Sequence, residues 1–511
     1  MLKEQDFLQL EQKGISKDLF EMQIRNFENG FPFSNLQEPA TTQKGILRLK
    51  KAEIDHFIHL YEVEKGNKNI LKFVPASGVA SRMFKNLADF VNNNEKSNVN
   101  NKDQFSEVKI FIEKIQKFAF YEALKSTIKE KGTTIEELIE NKDYRTIIIY
   151  LLTKYGLNYG NLPKALLSFH SYKGFLRTAL EEQLIEGIEY AKNDSKNVFV
   201  HFTISPEHKK AFTKKIREIK KAYETEFDVK LHIQLSEQKS STDIVAVDDE
   251  NRVVRNRDGS MMFRPGGHGA LIENLNECNA DIIFIKNIDN VVVDSLKEIT
   301  CKYKKALAGY LLDFQKKIFQ HLTMLDNLEI SESELSNIEA FGRHSLSIIP
   351  EDSYYVFSFR EKIAFWQKWL NRPIRVCGMV KNQGETGGGP FWVKNEKGEI
   401  SLQIVESSQI DFTNNYQKEI AARASHFNPV DLVCGIKDYR GNKFDLRFFI
   451  DKSTGFICFK PTEDKIVKAQ ELPGLWNGAM ANWISIFIEV PIETFNPVKT
   501  VTDLLRKEHQ Q

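Results

Sequence analysis

Short apolar runs alternating with helical patterns predict an α/β protein built on a mostly parallel sheet. Three observations carry this. Between residues 69 and 300, the stretches 70–74, 198–204, 229–235 and 281–288 are brief apolar runs rich in β-branched residues, with helical patterns between them. Residues 92–161 interrupt the alternation with an Asn-rich polar loop at 94–101 and three helical patterns over 105–155, which predicts a helical insertion. After residue 300, helices run to about 328 and a second strand-containing lobe follows, with strands expected at 344–350, 375–382, 390–395, 400–407 and 443–451.

The expected organisation is a helical region over 1–68, an α/β core over 69–300 and a second α+β lobe over 301–511. Residues 50–61 read as an amphipathic helix and 498–511 as a short closing helix. At 511 residues the chain is long enough for more than one lobe. Lys and Arg total 71 against 70 for Asp and Glu, a net charge of +1. That balance gives no global attraction to nucleic acid or to an anionic membrane, so any phosphate recognition is local. The five cysteines are widely spaced and form no CxxC pair, which argues against a zinc cage or disulfide framework and for reduced thiols in the cytoplasm. The first residues lack a signal-peptide core, and no apolar stretch approaches membrane-spanning length.

The most informative segment lies at 70–87. An apolar run breaks at Pro75 into Ala76-Ser77-Gly78-Val79-Ala80-Ser81, and Arg82 is expected to open an amphipathic helix. A strand, a loop of tiny residues and a helix start let backbone N–H groups approach phosphate oxygens, and Arg82 adds a fork-shaped cation. An ordinary strand-to-helix turn is the plain alternative. Lys164 follows Pro163, whose ring stiffens the backbone, and can reach a phosphate as a compact charge. Nearby, His170 and Arg177 offer polar contacts to the same ligand, or belong to the interior. Gly266-Gly267-His268-Gly269 brings a backbone close to something flat, either a nucleobase or the protein itself. The run 281–288 ends in Asp289-Asn290, a place where a carboxylate holds Mg²⁺ or simply forms a turn. In the second lobe, Glu406 ends a strand and Asn428 follows Phe427. A carboxylate and an amide of this kind suit a polyol, and an exposed strand-end acid is the alternative for Glu406.

In this order the segments resemble the nucleotide-diphospho-sugar transferase superfamily, in its uridylyltransferase branch. Ala76 to Met83 resembles the AGGxGTRL loop, with Ser77, Ala80 and Ser81 in place of Gly, Gly and Thr. Pro163-Lys164 resembles the following PK, Glu237-Gln238 the FxQ, and Gly266 to Leu271 the GNGGL loop. Ile288-Asp289-Asn290 resembles VDN, 405–410 resembles VEYSEI, and Phe427-Asn428 resembles FN. The whole chain also resembles a family of unknown function within that superfamily. Two loop glycines are absent, the helical insertion is longer than usual, and the late KN lysine has no match. Trp476-Asn477 falls near its place, and Lys460 is the available substitute.

The resemblance implies a Rossmann-like nucleotidyltransferase. It would join a nucleoside triphosphate, UTP favoured, to a sugar 1-phosphate and release pyrophosphate. It assigns Arg82 and Lys164 to catalysis, and Asp289 to Mg²⁺. Ala76, Ser77, Gly78, Gln238, Gly266, Gly267, His268 and Gly269 would bind nucleotide, and Glu406 and Asn428 the sugar. A glycosyltransferase of the same fold and a non-catalytic nucleotide or nucleotide-sugar binder are the competing expectations. The glycosyltransferase ranks lower because Asp289-Asn290 lacks the second acid of a DxD pair.

Overall fold

The apolar runs form strands because β-branched residues pack well on a pleated surface covered on both faces. Ile70–Pro75, Ile282–Ile285, Ile374–Met379 and Asp431–Gly435 are buried almost throughout. The structure is a computed structural model that describes residues 2–92, 102–327, 330–385, 387–462 and 466–511. The polar loop expected at 94–101 and Thr386 lie outside the described residues.

The fold is mixed α/β and divides into two compact units interleaved in sequence. One comprises Met1–Ile70, Glu237–Ile285 and Lys304–Ile492, and the other Leu71–Ser236, Lys286–Tyr303 and Glu493–Gln511. In the first unit, neighbouring strands run in the order Ile46–Leu47, Ile484–Glu489, Ile374–Met379, Asp431–Gly435, Ile282–Ile285. Asp431–Gly435 is antiparallel to both its neighbours, and Ile484–Glu489 is parallel to both of its own. In the second unit Ile70–Pro75 runs parallel to Asn197–Ile204, with Lys230–Glu237 beyond it. Strand direction is therefore mostly parallel, as the alternation predicts.

The structure differs from expectation where remote pairing or capping overrides local pattern. The N-terminal stretch expected to be helical also holds the strands Asn35–Pro39 and Ile46–Leu47. They pair with Gly389–Lys394 and Ile484–Glu489, partners that no local periodicity reveals. The compact units break near 68 and 300, at 70/71 and 303/304, and also at 236/237, 285/286 and 492/493. The insertion has four α-helices where three patterns were visible: Lys102–Glu113, Tyr121–Lys129, Ile135–Glu140 and Tyr144–Leu152. Thr134 and Asp143 cap the last two. No strand forms over 344–350, because a helix runs on to Ser345. None forms over 443–451 either, where Asp445 caps the 3₁₀ turn Leu446–Phe449. The closing segment has 3₁₀ turns at Val501–Leu505 and Lys507–His509 instead of one helix. Arg82 ends the 3₁₀ turn Ala80–Arg82, and the α-helix begins at Lys85. Among the described residues no helix is long and apolar enough to cross a membrane. The five cysteines are unpaired, and burial pushes Cys278 and Cys301 up to about 12, which leaves them poor nucleophiles.

The second unit is organised around the helix Ala179–Ala191, which is buried nearly all round although it carries Glu181, Glu182, Gln183 and Glu186. Thr178 caps it reciprocally with Glu181. Buried carboxylates need partners, and each has them. Glu186 accepts from Lys72 at 3.2 Å and from Lys286 at 2.7 Å. Lys72 therefore sits inside the apolar run 70–74 without reaching solvent. Glu182 accepts from Tyr172 Oη at 2.8 Å and Lys297 Nζ at 2.5 Å, and its Oε1 lies 2.8 Å from His170 Nδ1. His170 meets His509 at 3.0 Å through its other nitrogen. His170 and Arg177 thus belong to this interior network, Arg177 binding Asp294 at 2.6 Å. Burial alone would raise Glu182, but the hydrogen bonds and charges of His170 and Lys297 hold it below the ordinary range.

Glu182→Gln leaves Lys297 and Arg177 short of counter-charge and is expected to cost about 3–5 kcal/mol, as loss of one partner of a buried ion pair does. A denaturant midpoint equal to wild type would refute that. Burial also lowers His232, His268, His321 and His426, and takes His509 down to about 3. These imidazoles accept protons more readily unfolded than folded, so the unfolded chain gains protons first as pH falls below about 6.5. Stability should drop by up to roughly 1.4 kcal/mol per pH unit for each such group. Urea midpoints at about pH 7.5 and 5.5 measure this, and equal midpoints contradict it.

Candidate phosphate and polyol sites

The loop after Ile70–Pro75 is held in place by its neighbours' backbones. Ala76 N–H donates to Thr203 C=O at 2.9 Å, and Ser205 Oγ donates to Ser77 C=O at 3.2 Å. On the far side of the insertion, Pro163-Lys164 is zipped onto the same loop. Ala80 N–H donates to Leu162 C=O at 3.0 Å, Lys164 N–H donates to Gly78 C=O at 3.2 Å, and Val79 bridges Pro163. Among the described residues, the N–H groups of Ser77, Gly78 and Val79 have no acceptor. Gly78 is exposed, and a Cβ placed there meets nothing within 4 Å. The loop therefore presents free backbone donors to open space, as an anion cradle requires.

Lys164 Nζ donates to Asp289 Oδ2 at 2.7 Å and to Val498 C=O at 2.6 Å. Both charged side chains are mostly buried, at 13% and 18% exposure. Asp289 is held by its own backbone too. Gln183 Nε2 donates to Asn287 C=O at 2.8 Å, and Val498 N–H donates to Asp289 C=O at 3.1 Å. Asn290 is structural, its amide carbonyl accepting from Asn496 N–H at 2.8 Å. Val501 N–H donates to Met83 C=O at 3.1 Å, so residues 498–501 brace both the loop and the Lys164–Asp289 pair. Arg82 lies on the same braced backbone. Its side chain is exposed and forms no ion pair among the described residues. The structure thus brings Lys164 and Asp289 into contact and attaches the Lys164 segment to the loop that carries Gly78 and Arg82.

Among the described residues no three metal-ligating side chains gather. Asp289 retains Oδ1 beside its bond to Lys164. One carboxylate oxygen suits a cation that takes its remaining ligands from substrate phosphates and water, which is how Mg²⁺ is commonly held.

The other predicted residues lie in the first unit. Gln238 Nε2 donates to Thr242 Oγ1 at 3.4 Å, and Thr242 C=O stands 2.5 Å from where a Cβ on Gly266 would lie. The turn at Ser240–Thr242 thus links Gln238 to the glycine loop. That loop packs against the chain itself. Cβ atoms on Gly267 and Gly269 would fall 2.9 Å from Glu471 Oε2 and 2.1 Å from Pro473 C=O. Close approach of the Pro473 backbone accounts for Gly269, and a φ of +78° for Gly267. His268 stacks on Trp476 at 4.7 Å, and its Nδ1 accepts from Leu475 N–H at 3.0 Å. Burial lowers its proton affinity against an upward pull from Glu406 and Glu471, so it is neutral at pH 7. Lys460 is held by Glu471 at 2.8 Å.

Glu406 is not a free strand-end acid. Its Oε1 accepts from Asn428 Nδ2 at 3.2 Å and from Asn477 Nδ2 at 3.0 Å. The carboxylate fixes both amide orientations, and the buried carbonyl oxygens of Asn428 and Asn477 have no partner. The two amide oxygens are closed off from solvent beside the carboxylate. Sequence reasoning noted Asn477 only as the residue standing where a lysine was sought. Its pairing with Glu406 had no signal in spacing.

Comparison with curated protein sequences gave no match. Among solved structures, a mutant UDP-glucose pyrophosphorylase from Leishmania major in complex with UDP-glucose is 11% identical, with 98% of this chain and 77% of that chain covered and a TM-score of 0.44. A UDP-glucose phosphorylase from Trypanosoma brucei is 12% identical, with 99% and 80% covered and a TM-score of 0.47. The uridine diphosphate N-acetylglucosamine pyrophosphorylase of Trypanosoma brucei in complex with inhibitor is 11% identical, with 99% and 79% covered and a TM-score of 0.47. A family model matches residues 3–510, nearly the whole sequence, and the chain belongs to that family, described as Domain of unknown function (DUF4301).

Proposed function

We propose that this protein is a nucleotidyltransferase that joins a nucleoside triphosphate, UTP favoured, to a sugar 1-phosphate and releases pyrophosphate. One observation carries the reading: a loop with free backbone donors, a lysine and a strand-tip carboxylate are braced together although they lie far apart in sequence. The motif resemblance described above supplies the choice of reaction.

The sugar phosphate oxygen is already a nucleophile, so no activated side chain is needed. It attacks the α-phosphorus in line, the bond to the β-phosphate oxygen breaks, and pyrophosphate leaves. The protein's work is alignment and charge stabilisation. The N–H groups of Ser77, Gly78 and Val79 hold phosphate oxygens. An ammonium has three N–H donors, and Lys164 spends two on Asp289 and Val498, which leaves one for a phosphate oxygen. Arg82 adds a second cation. Asp289 would hold Mg²⁺, which would supply neutralisation of phosphate charge. The resemblance assigns Gln238 and Gly266 to Gly269 to the base, although the glycine loop packs against the chain itself. Glu406, Asn428 and Asn477 are assigned to sugar hydroxyls, the last added by its bond to Glu406.

The deciding assay measures pyrophosphate release with Mg²⁺, crossing the common triphosphates with hexose and amino-sugar 1-phosphates. Release from one pair is expected, with Lys164→Met lowering turnover by roughly 10²–10³-fold. Full turnover in Lys164→Met removes the lysine from the mechanism. UTP binding without release from any pair replaces catalysis with the binding-protein reading. Gly78→Ala separates folding from function, because its methyl meets only open space. The variant should unfold within about 0.5 kcal/mol of wild type yet lose triphosphate affinity. Unchanged affinity would mean that no phosphate lies over Gly78.

A further inference from the structure

Residues 493–511 belong to the second unit, and the mechanism above makes no use of the imidazole that they bury there. His509 is 2% exposed, and its Nδ1 lies 3.0 Å from Nε2 of His170, which is fully buried. On its other side His170 Nδ1 lies 2.8 Å from the Glu182 carboxylate, which only accepts, so that nitrogen carries a proton and donates it. One proton occupies the gap between the rings, because two N–H groups facing each other at that distance repel. Any further proton has to enter at His509 Nε2, which is buried and makes no hydrogen bond. The charged and titratable groups about His509 are His170 and, on its own segment, Arg506. Glu182 stands behind His170, with Tyr172, Arg177 and Lys297 around that carboxylate. Burial lowers the proton affinity of His509, His170 and Arg506 lower it further, and the Asn496 carbonyl raises it.

The segment that carries His509 also serves Lys164. Val498 C=O accepts from Lys164 Nζ, Val498 N–H donates to Asp289 C=O, and Val501 N–H donates to Met83 C=O. From there to His509 the chain is tied turn by turn. The N–H groups of Lys499 and Thr500 donate to Asp503 Oδ2 at 2.7 Å, Arg506 N–H to Asp503 C=O at 3.0 Å, and His509 N–H to Arg506 C=O at 3.0 Å. The far end of this run is held by the imidazole bond, by Val293 N–H donating to Glu508 C=O at 3.1 Å and by Gln510 Nε2 donating to Lys117 C=O at 3.3 Å. Of these three holds, the imidazole bond is the one that a proton can break.

We propose that His509 is a positioning residue for Lys164: its bond to His170 pins the run 498–509, which supplies Lys164 with the Val498 carbonyl, and the pin loosens when the imidazole pair takes up a further proton. Once released, His509 regains the proton affinity of an exposed imidazole. Release is therefore favoured below about pH 6.5, and the pin holds above it. The catalytic meaning of Lys164 rests on the reaction proposed above, and the pin does not.

The test uses the full chain and needs no turnover. Hydrogen exchange of the 498–509 amides is followed by mass spectrometry at about pH 7.5 and 5.5, corrected for the intrinsic pH dependence of exchange and measured against the buried strand Asn197–Ile204 of the same unit. Wild type is expected to lose about tenfold in relative protection between the two, the change in opening that a proton taken up at about pH 6.5 brings. His509→Gln keeps a hydrogen-bonding side chain but cannot become charged, so its relative protection should be the same at both. His509→Phe keeps a ring and loses the bond, so the run should open about fivefold more at neutral pH. Acetylation of Lys164 Nζ by acetic anhydride, read by mass spectrometry, should quicken by the same factor in that variant. Wild-type protection that does not fall, or falls equally in His509→Gln, overturns the proposal. So does Lys164 acetylation that is unchanged in His509→Phe. These shifts in a protein that releases no pyrophosphate would sink the proposed reaction and leave the pin standing.

Discussion

The second unit depends on pairing the carboxylates that one buried helix carries into its interior. Ala179–Ala191 carries Glu182 and Glu186 into the interior, where isolated charges are very costly, and each is met by cations from other elements. The consequence is positional. Lys286, which closes on Glu186, lies just before Asp289, and Gln183 of the same helix grips the carbonyl of Asn287. The strand tip that bears Asp289 is thus clamped from the interior. Its solvent side is met by Lys164 and the backbone of Val498. A carboxylate held from both sides is preorganised, which is what a charge-stabilising site requires.

The two units use polar groups differently. In the second, the loop at 76–82 leaves donors unspent and leaves space above Gly78. In the first, Gly266 and Gly269 are packed against Thr242, Leu472 and Pro473, while Glu406 orients two amides whose oxygens are buried without a partner. A glycine-rich loop and a small-residue loop look alike on paper. What separates them is whether the missing side chain is replaced by protein or by open space.

Several segments stood out from residue type and order. Pro75 followed by tiny residues, Lys164 after Pro163, and Asp289 after an apolar run each stood out, and the alternation of runs and helical patterns pointed to a mostly parallel α/β sheet. The strands at Asn35–Pro39 and Ile46–Leu47 were not legible, because their partners lie hundreds of positions away. Lys72 lies within an apolar run, and its partners, Glu186 and the Gln183 carbonyl, come from a helix more than a hundred positions away. The insertion holds four α-helices where three were expected, the last two capped by Thr134 and Asp143.

By itself the sequence determined the local choices: where a strand must stop, which loops lack side chains, which residues carry charge. These follow from each residue's own backbone and side-chain chemistry, which travels with it into any fold. Tertiary structure alone decided which charges meet, which glycines face protein and which face open space, and that Asn477 turns to Glu406. Those outcomes depend on the path of the chain and on how much water each group loses, and neither is a property of a residue and its neighbours in sequence.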